Sequence, residues 1–287
     1  MRKLLVEAPA KLNLGLEITG LRSDGFHELK SIFSTVSLSD SLTVSVNQGV
    51  SGVKLQCSGI PSPGNKNNLV WMAAEAFLEA AGISDTTAVS ISLRKSIPSP
   101  GGLGGGSSDA AAVLLALQEL TKIRIDLESP GESLGSDVPF FLLQTGAAFV
   151  TGRGEILEPV ELPDFHCVLV HSGENIPTPL AYKLWDDNAG DLTEAWHISN
   201  YTARKFGAWH EGKPFPVKLD NQFLPLLRSR YRGVDHAAEE LSRLTVNWGL
   251  SGSGPVLYTL FRSGEEAKDA EEYLAGKFPW VLRCQSR

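Results

Sequence analysis

Five glycines fall within six consecutive positions: Gly101, Gly102, Gly104, Gly105 and Gly106, with Leu103 among them. Glycine loses more backbone freedom on folding than any other residue, so such a run is costly to order. It implies that something must approach the backbone closely. Pro98 leads into the run, and Ser107, Ser108 and Asp109, all good helix N-caps, follow it. The stretch AAAVLLAL that comes next is apolar on nearly every face and predicts a buried helix. A flexible loop ending at a buried helix start offers unsatisfied N–H groups and the positive end of the helix dipole, which suits phosphate. An ordinary strand-to-helix turn needs one or two glycines.

Three common glycine motifs fail here. A Walker loop needs GxxxxGK followed by Ser or Thr, but Gly207–Lys213 is followed by Pro214 and lies away from any strong strand–helix junction. The dinucleotide fingerprint fails because Gly102 and Gly104 are followed by Ser107 where its last glycine belongs. A hydrolase elbow, GxSxG, fails at Ser251 because Ser253 replaces the final glycine.

Around this loop, residues 10–18 alternate, with Leu12, Leu14, Leu16 and Ile18 on one face and Lys11, Asn13, Gly15 and Glu17 on the other. This predicts a half-buried strand that carries Lys11 and Asn13 side by side on its non-core face. Asp24-Gly25 is a turn signal, directly followed by Phe26 and His27. A loop over 59–68, a helix over 69–82 stopped by Gly82, and an alternating strand over 88–97 lead into the glycine loop. The texture changes at 159–165, and 166–173 begins a new strand. The second half runs strand, helix, strand, helix, with GLSGSGPVLYTLF over 249–261 as its clearest signal. We expect an α+β protein with two domains, 1–160 and 161–287.

The bulk composition narrows the classes. The 287 residues are 42% hydrophobic and 21% charged, enough for a sizeable core. No apolar run approaches the roughly 20 residues that span a bilayer, and Glu7, Lys11, Asn13 and Glu17 interrupt the first apolar stretch, against a signal peptide. Cys57, Cys167 and Cys284 are too scattered to suggest a disulfide framework or a zinc site, and a reducing cytoplasm is expected. A net charge of −7 argues against nucleic acid as a partner, and the basic cluster Arg228–Arg232 reads as a solvated face.

PAKLNLGL at 9–16, the glycine–serine loop at 98–109 and GLSGSG at 249–254 resemble, in order, the three motifs of the GHMP small-molecule kinases. Within that family, residues 8–29, NNLV at 67–70, LGSDVPFF at 134–141 and GRGE at 152–155 resemble the branch acting on cytidine-diphosphate methylerythritol in the non-mevalonate isoprenoid pathway. Pro100 and Phe26 depart from it, since the branch usually has glycine and tyrosine there. The resemblance implies a ribosomal S5 domain 2-like N-terminal domain, a ferredoxin-like C-terminal domain and an active site in the cleft between them. It implies ATP; magnesium is expected on the general grounds of phosphoryl transfer, with Ser107 and Ser108 as candidate protein ligands. A monomer or weak homodimer is expected. Other members of the family, acting on homoserine, a sugar or mevalonate, are the alternative, as is a non-catalytic nucleotide-binding relative.

Phosphoryl transfer to a hydroxyl needs positioning, charge stabilisation and a base for the hydroxyl proton. Asp137, before the apolar run Val138–Phe141, reads from its surroundings either as a desolvated base or as a helix cap. The resemblance favours the base, pairs it with Lys11 and gives Asn13 a part in placing substrate. It also implies a cytosine pocket, with Phe26, Phe33 and Tyr182 as stacking candidates and His27 at the polar edge. On the nucleotide side, Asn68 and Lys95 join Pro98, Gly101, Gly102, Leu103, Gly104, Gly105, Gly106, Ser107 and Ser108. A lysine that ends a strand, as Lys95 does, is more often simply solvated.

Overall fold

The computed structural model describes residues 2–188 and 206–287. Eighteen elements follow one another among the described residues: β1 (Arg2–Leu21), β2 (His27–Gln48), β3 (Gly52–Gly59), α1 (Leu69–Ala80), β4 (Thr87–Lys95), α2 (Gly105–Thr121), α3 (Glu128–Leu134), α4 (Val138–Leu142), β5 (Ala147–Thr151), β6 (Ile156–Pro159), β7 (His166–His171), α5 (Thr178–Asn188), α6 (Phe223–Arg230), α7 (Arg232–Leu244), β8 (Trp248–Leu250), β9 (Val256–Phe261), α8 (Gly264–Leu274) and β10 (Trp280–Gln285). By compactness the chain divides into two discontinuous units, Met1–Ala10 with Leu38–Ser99 and Gly104–Thr145, and Lys11–Ser37 with Pro100–Leu103 and Gly146–Arg287.

In the first unit, β4 pairs antiparallel with the second half of β2 and parallel with β3. Leu42, Val44 and Val46 of β2 and Val89, Ile91 and Leu93 of β4 point inward at every second residue. Val70, Ala73, Ala74 and Phe77 form the buried side of α1, which packs beside α2, itself buried from Ser108 to Leu114. Asn68 caps α1, its side-chain oxygen accepting the Val70 N–H at 3.0 Å.

In the second unit, β7, β8, β9 and β10 form an antiparallel sheet in the order β10-β7-β9-β8. With helices between β7 and β8 and α8 between β9 and β10, this is the ferredoxin-like arrangement expected of the second half. The core under it gathers Val168, Val170, Leu250 and Leu257 from the strands and Val234, Ala237, Ala238 and Leu241 from α7. Those α7 positions recur at helical spacing, three and four residues apart. Leu16 and Ile18 of β1 complete this core.

One expectation about β1 fails. From Ala10 to Ile18 it is buried on both faces, and Lys11 and Asn13 are 3% and 2% exposed. The alternation was real, but the polar face is covered by other parts of the chain and not by water.

Candidate active site

In the second unit, the strand motif, the start of the glycine loop and the GLSGSG turn touch one another. The Lys11 N–H donates to the Leu103 carbonyl at 2.9 Å. The Ser251 hydroxyl donates to the Gly102 carbonyl at 2.8 Å and accepts the Asn13 N–H at 3.2 Å. Tyr258, wholly buried on β9, donates its hydroxyl to the Asn13 carbonyl at 2.9 Å. The Asn221 amide donates to both Leu250 and Gly252 carbonyls, at 2.9 and 2.8 Å, and fixes the turn from behind. Gly102 sits at φ 71°, and a Cβ there would lie 2.0 Å from the Ser251 carbonyl oxygen. Only glycine allows that approach.

Lys11 and Asn13 are held together. The Lys11 ammonium donates to Asn13 Oδ1 at 2.6 Å and lies 4.3 Å from the centroid of the Phe33 ring. The Asn13 amide donates onward to Ser31, whose hydroxyl donates to the Gly15 carbonyl. Phe33 is 2% exposed, so it forms a floor under Lys11 and offers no open face for a base to stack upon.

At the other end of the loop, in the first unit, the N-cap of α2 is Gly104 and not Ser107, Ser108 or Asp109. Those three residues lie inside the helix's opening turns. No side chain caps α2, so its first N–H groups keep their capacity for an anion. Gly105 leaves room for the backbone to lie against Ile97, just past the end of β4: a Cβ there would meet Ile97 Cγ2 at 2.8 Å. Ser107 Oγ lies 3.6 Å from where a Cβ on Gly135 would stand, which brings the serine loop and the GSD motif together. Asp137 is half-buried and occupies the N-cap position of α4 without making a side-chain cap bond. Pro98 stands in the connection between β4 and α2, and Pro100, two residues on, is exposed. Asn68 spends both ends of its amide locally, capping α1 and donating to the Pro63 carbonyl at 2.7 Å.

Lys95 is not solvated. It follows Val89, Ile91 and Leu93 on the inward face of β4 and is 6% exposed. Its ammonium bonds to Asp40 and, at 2.8 Å, to Asp109 Oδ2. The other Asp40 oxygen accepts the N–H groups of Ser96 and Ile97. Burial works to lower the Lys95 pKa, but Asp109 and Asp40 outweigh it and raise the pKa. Burial pushes Asp109 up to about 7 against the pull of Lys95, and the Asp40 charge adds to the rise. Asp109 Oδ1 and the Ser108 hydroxyl are buried without a hydrogen-bond partner. Asp40 escaped the sequence reading, although it shares the parity of Leu38, Leu42 and Val44 on β2.

The third cluster surrounds His27, again in the second unit. Its ring stacks on Tyr182 of α5 at 4.7 Å and meets Trp185 edge-on at 5.4 Å. Nε2 lies 2.7 Å from Asp186 Oδ1. Phe26 is 51% exposed, with the Arg153 guanidinium 5.1 Å from its ring centroid. Trp185 and Asp186 gave no signal in the sequence, because a WDD run on a helix reads as surface.

The GHMP kinases N terminal domain model matches residues 68–145, and the GHMP kinases C terminal model matches 218–279. The 4-diphosphocytidyl-2-C-methyl-D-erythritol kinase of Chlorobium phaeobacteroides is 38% identical, covering 98% of this chain and 97% of its own. The enzyme of the same name from Geobacter metallireducens is 34% identical, with 98% of each chain covered. This chain belongs to the GHMP kinase family, in its 4-diphosphocytidyl-2-C-methyl-D-erythritol kinase branch. A solved structure of 4-(cytidine 5'-diphospho)-2C-methyl-D-erythritol kinase superposes with a TM-score of 0.79 at 33% identity, covering 99% of this chain and 100% of that one. As a GHMP kinase it is an ATP-dependent small-molecule kinase. Among the described residues, no helix is long and apolar enough to cross a membrane.

Proposed function

We propose that this kinase transfers the γ-phosphoryl group of ATP to the 2-hydroxyl of 4-diphosphocytidyl-2-C-methyl-D-erythritol, in the non-mevalonate route to isoprenoid precursors. The observation that carries the reading is end-to-end likeness to relatives named for that substrate.

The uncapped start of α2, walled by backbone at Gly104 and Gly105, suits the phosphates of the nucleotide. Magnesium, when bound, would supply positive charge to neutralise the phosphates. No group of three or more His, Cys, Asp or Glu among the described residues is placed to hold a metal ion. The hydroxyls of Ser107 and Ser108 are the protein groups that would hold the ion, and the unpartnered Ser108 Oγ fits that role. Asp137 serves as the base that takes the 2-hydroxyl proton. Lys11, fixed by Asn13 and Phe33, supplies positive charge toward the reacting oxygens. Phe26, His27 and Tyr182 receive the cytosine, and base–aromatic stacking contributes about 1–3 kcal/mol per base. Asp186, as a carboxylate, only accepts, so Nε2 of His27 carries a proton toward it. In the neutral ring Nδ1 is then an acceptor, as an exocyclic amino group requires.

Purified protein given ATP, magnesium and a panel of alcohols tests the reading. ADP should form with the cytidine-diphosphate methylerythritol and not with homoserine, mevalonate or free sugars. Turnover of one of those alcohols in its place would overturn the substrate. ATP binding without turnover of any alcohol would instead favour a nucleotide-binding relative.

A further inference from the structure

Cys167 and Cys284 stand 117 residues apart in sequence and directly opposite each other across β7 and β10. Opposed residues in an antiparallel pair have Cα atoms about 4.5–5.5 Å apart. That lies inside the window of about 4.4–6.8 Å that a disulfide spans. Opposed side chains also leave the sheet on the same face. Here both cysteines are free thiols, with their sulfurs 3.1 Å apart. The sequence suggested no disulfide because linear spacing hides a partnership that only the strand register creates.

We propose that Cys167 and Cys284 form a modification site in the folded kinase: a dithiol that closes to an intramolecular disulfide by exchange with a low-molecular-weight disulfide. The Cys284 thiolate attacks one sulfur of the oxidant, forming a mixed disulfide and releasing one small thiolate. The Cys167 thiolate then attacks the Cys284 sulfur and displaces the second. In sum, two protein thiols and one small disulfide give one protein disulfide and two small thiols. The two electrons lost by the protein reduce the oxidant, and the two protons end on the released thiols.

The order of attack follows from the sheet. β10 is an edge strand paired on one side only with β7, whereas β7 is enclosed between β10 and β9. Cys284 keeps 7% exposure and Cys167 none. An edge strand opens locally more readily than an inner one, so reagent meets Cys284 first. Burial holds the Cys167 thiol well above the ordinary thiol range, so closure is slow at neutral pH and quickens as pH rises. The bond would anchor the residues that follow, where Ser286 N–H donates to the Phe165 carbonyl and Arg287 N–H to the Thr35 carbonyl, at 2.9 and 3.1 Å.

The experiment incubates the full native chain with oxidised glutathione, quenches with acid, alkylates remaining thiols in denaturant and maps peptides without reduction. The expected product is a single peptide pair joined at Cys167 and Cys284, two hydrogens lighter than the separate thiol peptides and parted by dithiothreitol. It should form in the Cys57→Ser variant and be missing in Cys284→Ser. Glutathione on the partly exposed Cys57 shows that the oxidant has reached the protein. Alkylated Cys167 and Cys284 beside a modified Cys57, or a stable glutathione adduct on Cys284 with Cys167 still a thiol, would overturn the proposal. So would a bond that forms only after unfolding in urea.

Discussion

Ser251 and Gly102 are joined by a 2.8 Å hydrogen bond that spans 149 residues of sequence, from the hydroxyl of the one to the carbonyl of the other. The same hydroxyl accepts the Asn13 N–H, so a single oxygen ties the third motif to the first two. Ser251→Ala leaves a half-buried carbonyl and a buried N–H without this partner, at a cost of about 1–3 kcal/mol. We expect a lowered urea midpoint and a fall in kcat/KM for ATP of roughly tenfold, because about 1.4 kcal/mol of lost positioning corresponds to that factor. Steady-state kinetics at saturating acceptor check the fall. Unchanged kinetics would mean that Gly102 holds its place without the bond.

Asp109 makes stability depend on pH in a direction opposite to most carboxylates. Its pKa rises from 3.8 to about 7 on folding, so between those values the folded chain binds the extra proton. Unfolding free energy then falls as pH rises. The contribution of this group is complete below about 3.8 and is lost as pH passes through about 7. Asp109→Asn keeps a neutral side chain throughout. Its urea midpoint, followed between pH 5 and 8, should therefore fall less than that of the wild type. Parallel slopes for the two proteins would refute the shift.

Lys95→Met leaves Asp40 and Asp109 buried without their cation. Removing one partner of a buried ion pair costs about 3–5 kcal/mol. We expect a loss of that size in chemical denaturation. At alkaline pH, where Asp109 would otherwise ionise beside Asp40, the double variant Lys95→Met with Asp109→Asn should recover part of it. No recovery would point to packing of the lysine stem in place of charge as the cause.

Asp137→Asn should lower kcat by about 10²–10⁴, the usual worth of general acid–base catalysis. The far-UV circular dichroism should stay near wild type, since the side chain does not cap α4. Single-turnover kinetics separate the chemical step from product release. Retention of wild-type chemistry would pass the role of base to another group.

Much of the fold could be read because it follows local chemistry. The alternation at Val89, Ile91 and Leu93 marks β4, Asn68 marks the start of α1, and the glycine run ahead of AAAVLLAL marks the start of α2. The same alternation carried one more step to Lys95 would have placed it inward. Lysines that end strands are usually solvated, which hid that, and a lone aspartate in SLSDSL resembles surface, which hid Asp40. Ser251 looked like a failed hydrolase elbow and serves instead to hold the glycine loop. The pairing of Cys167 with Cys284, the stacking of His27 on Tyr182 and the covering of both faces of β1 depend on contacts distant in sequence. No spacing rule reaches them.

The bed in which Lys11 lies, between the Asn13 amide and the Phe33 ring, makes it a built-in reporter. An amine so enclosed reacts slowly with acylating reagents that label exposed lysines at once. Reagents of graded size, applied with and without nucleotide, would turn the acylation rate of Lys11 into a footprint of occupancy that requires no turnover.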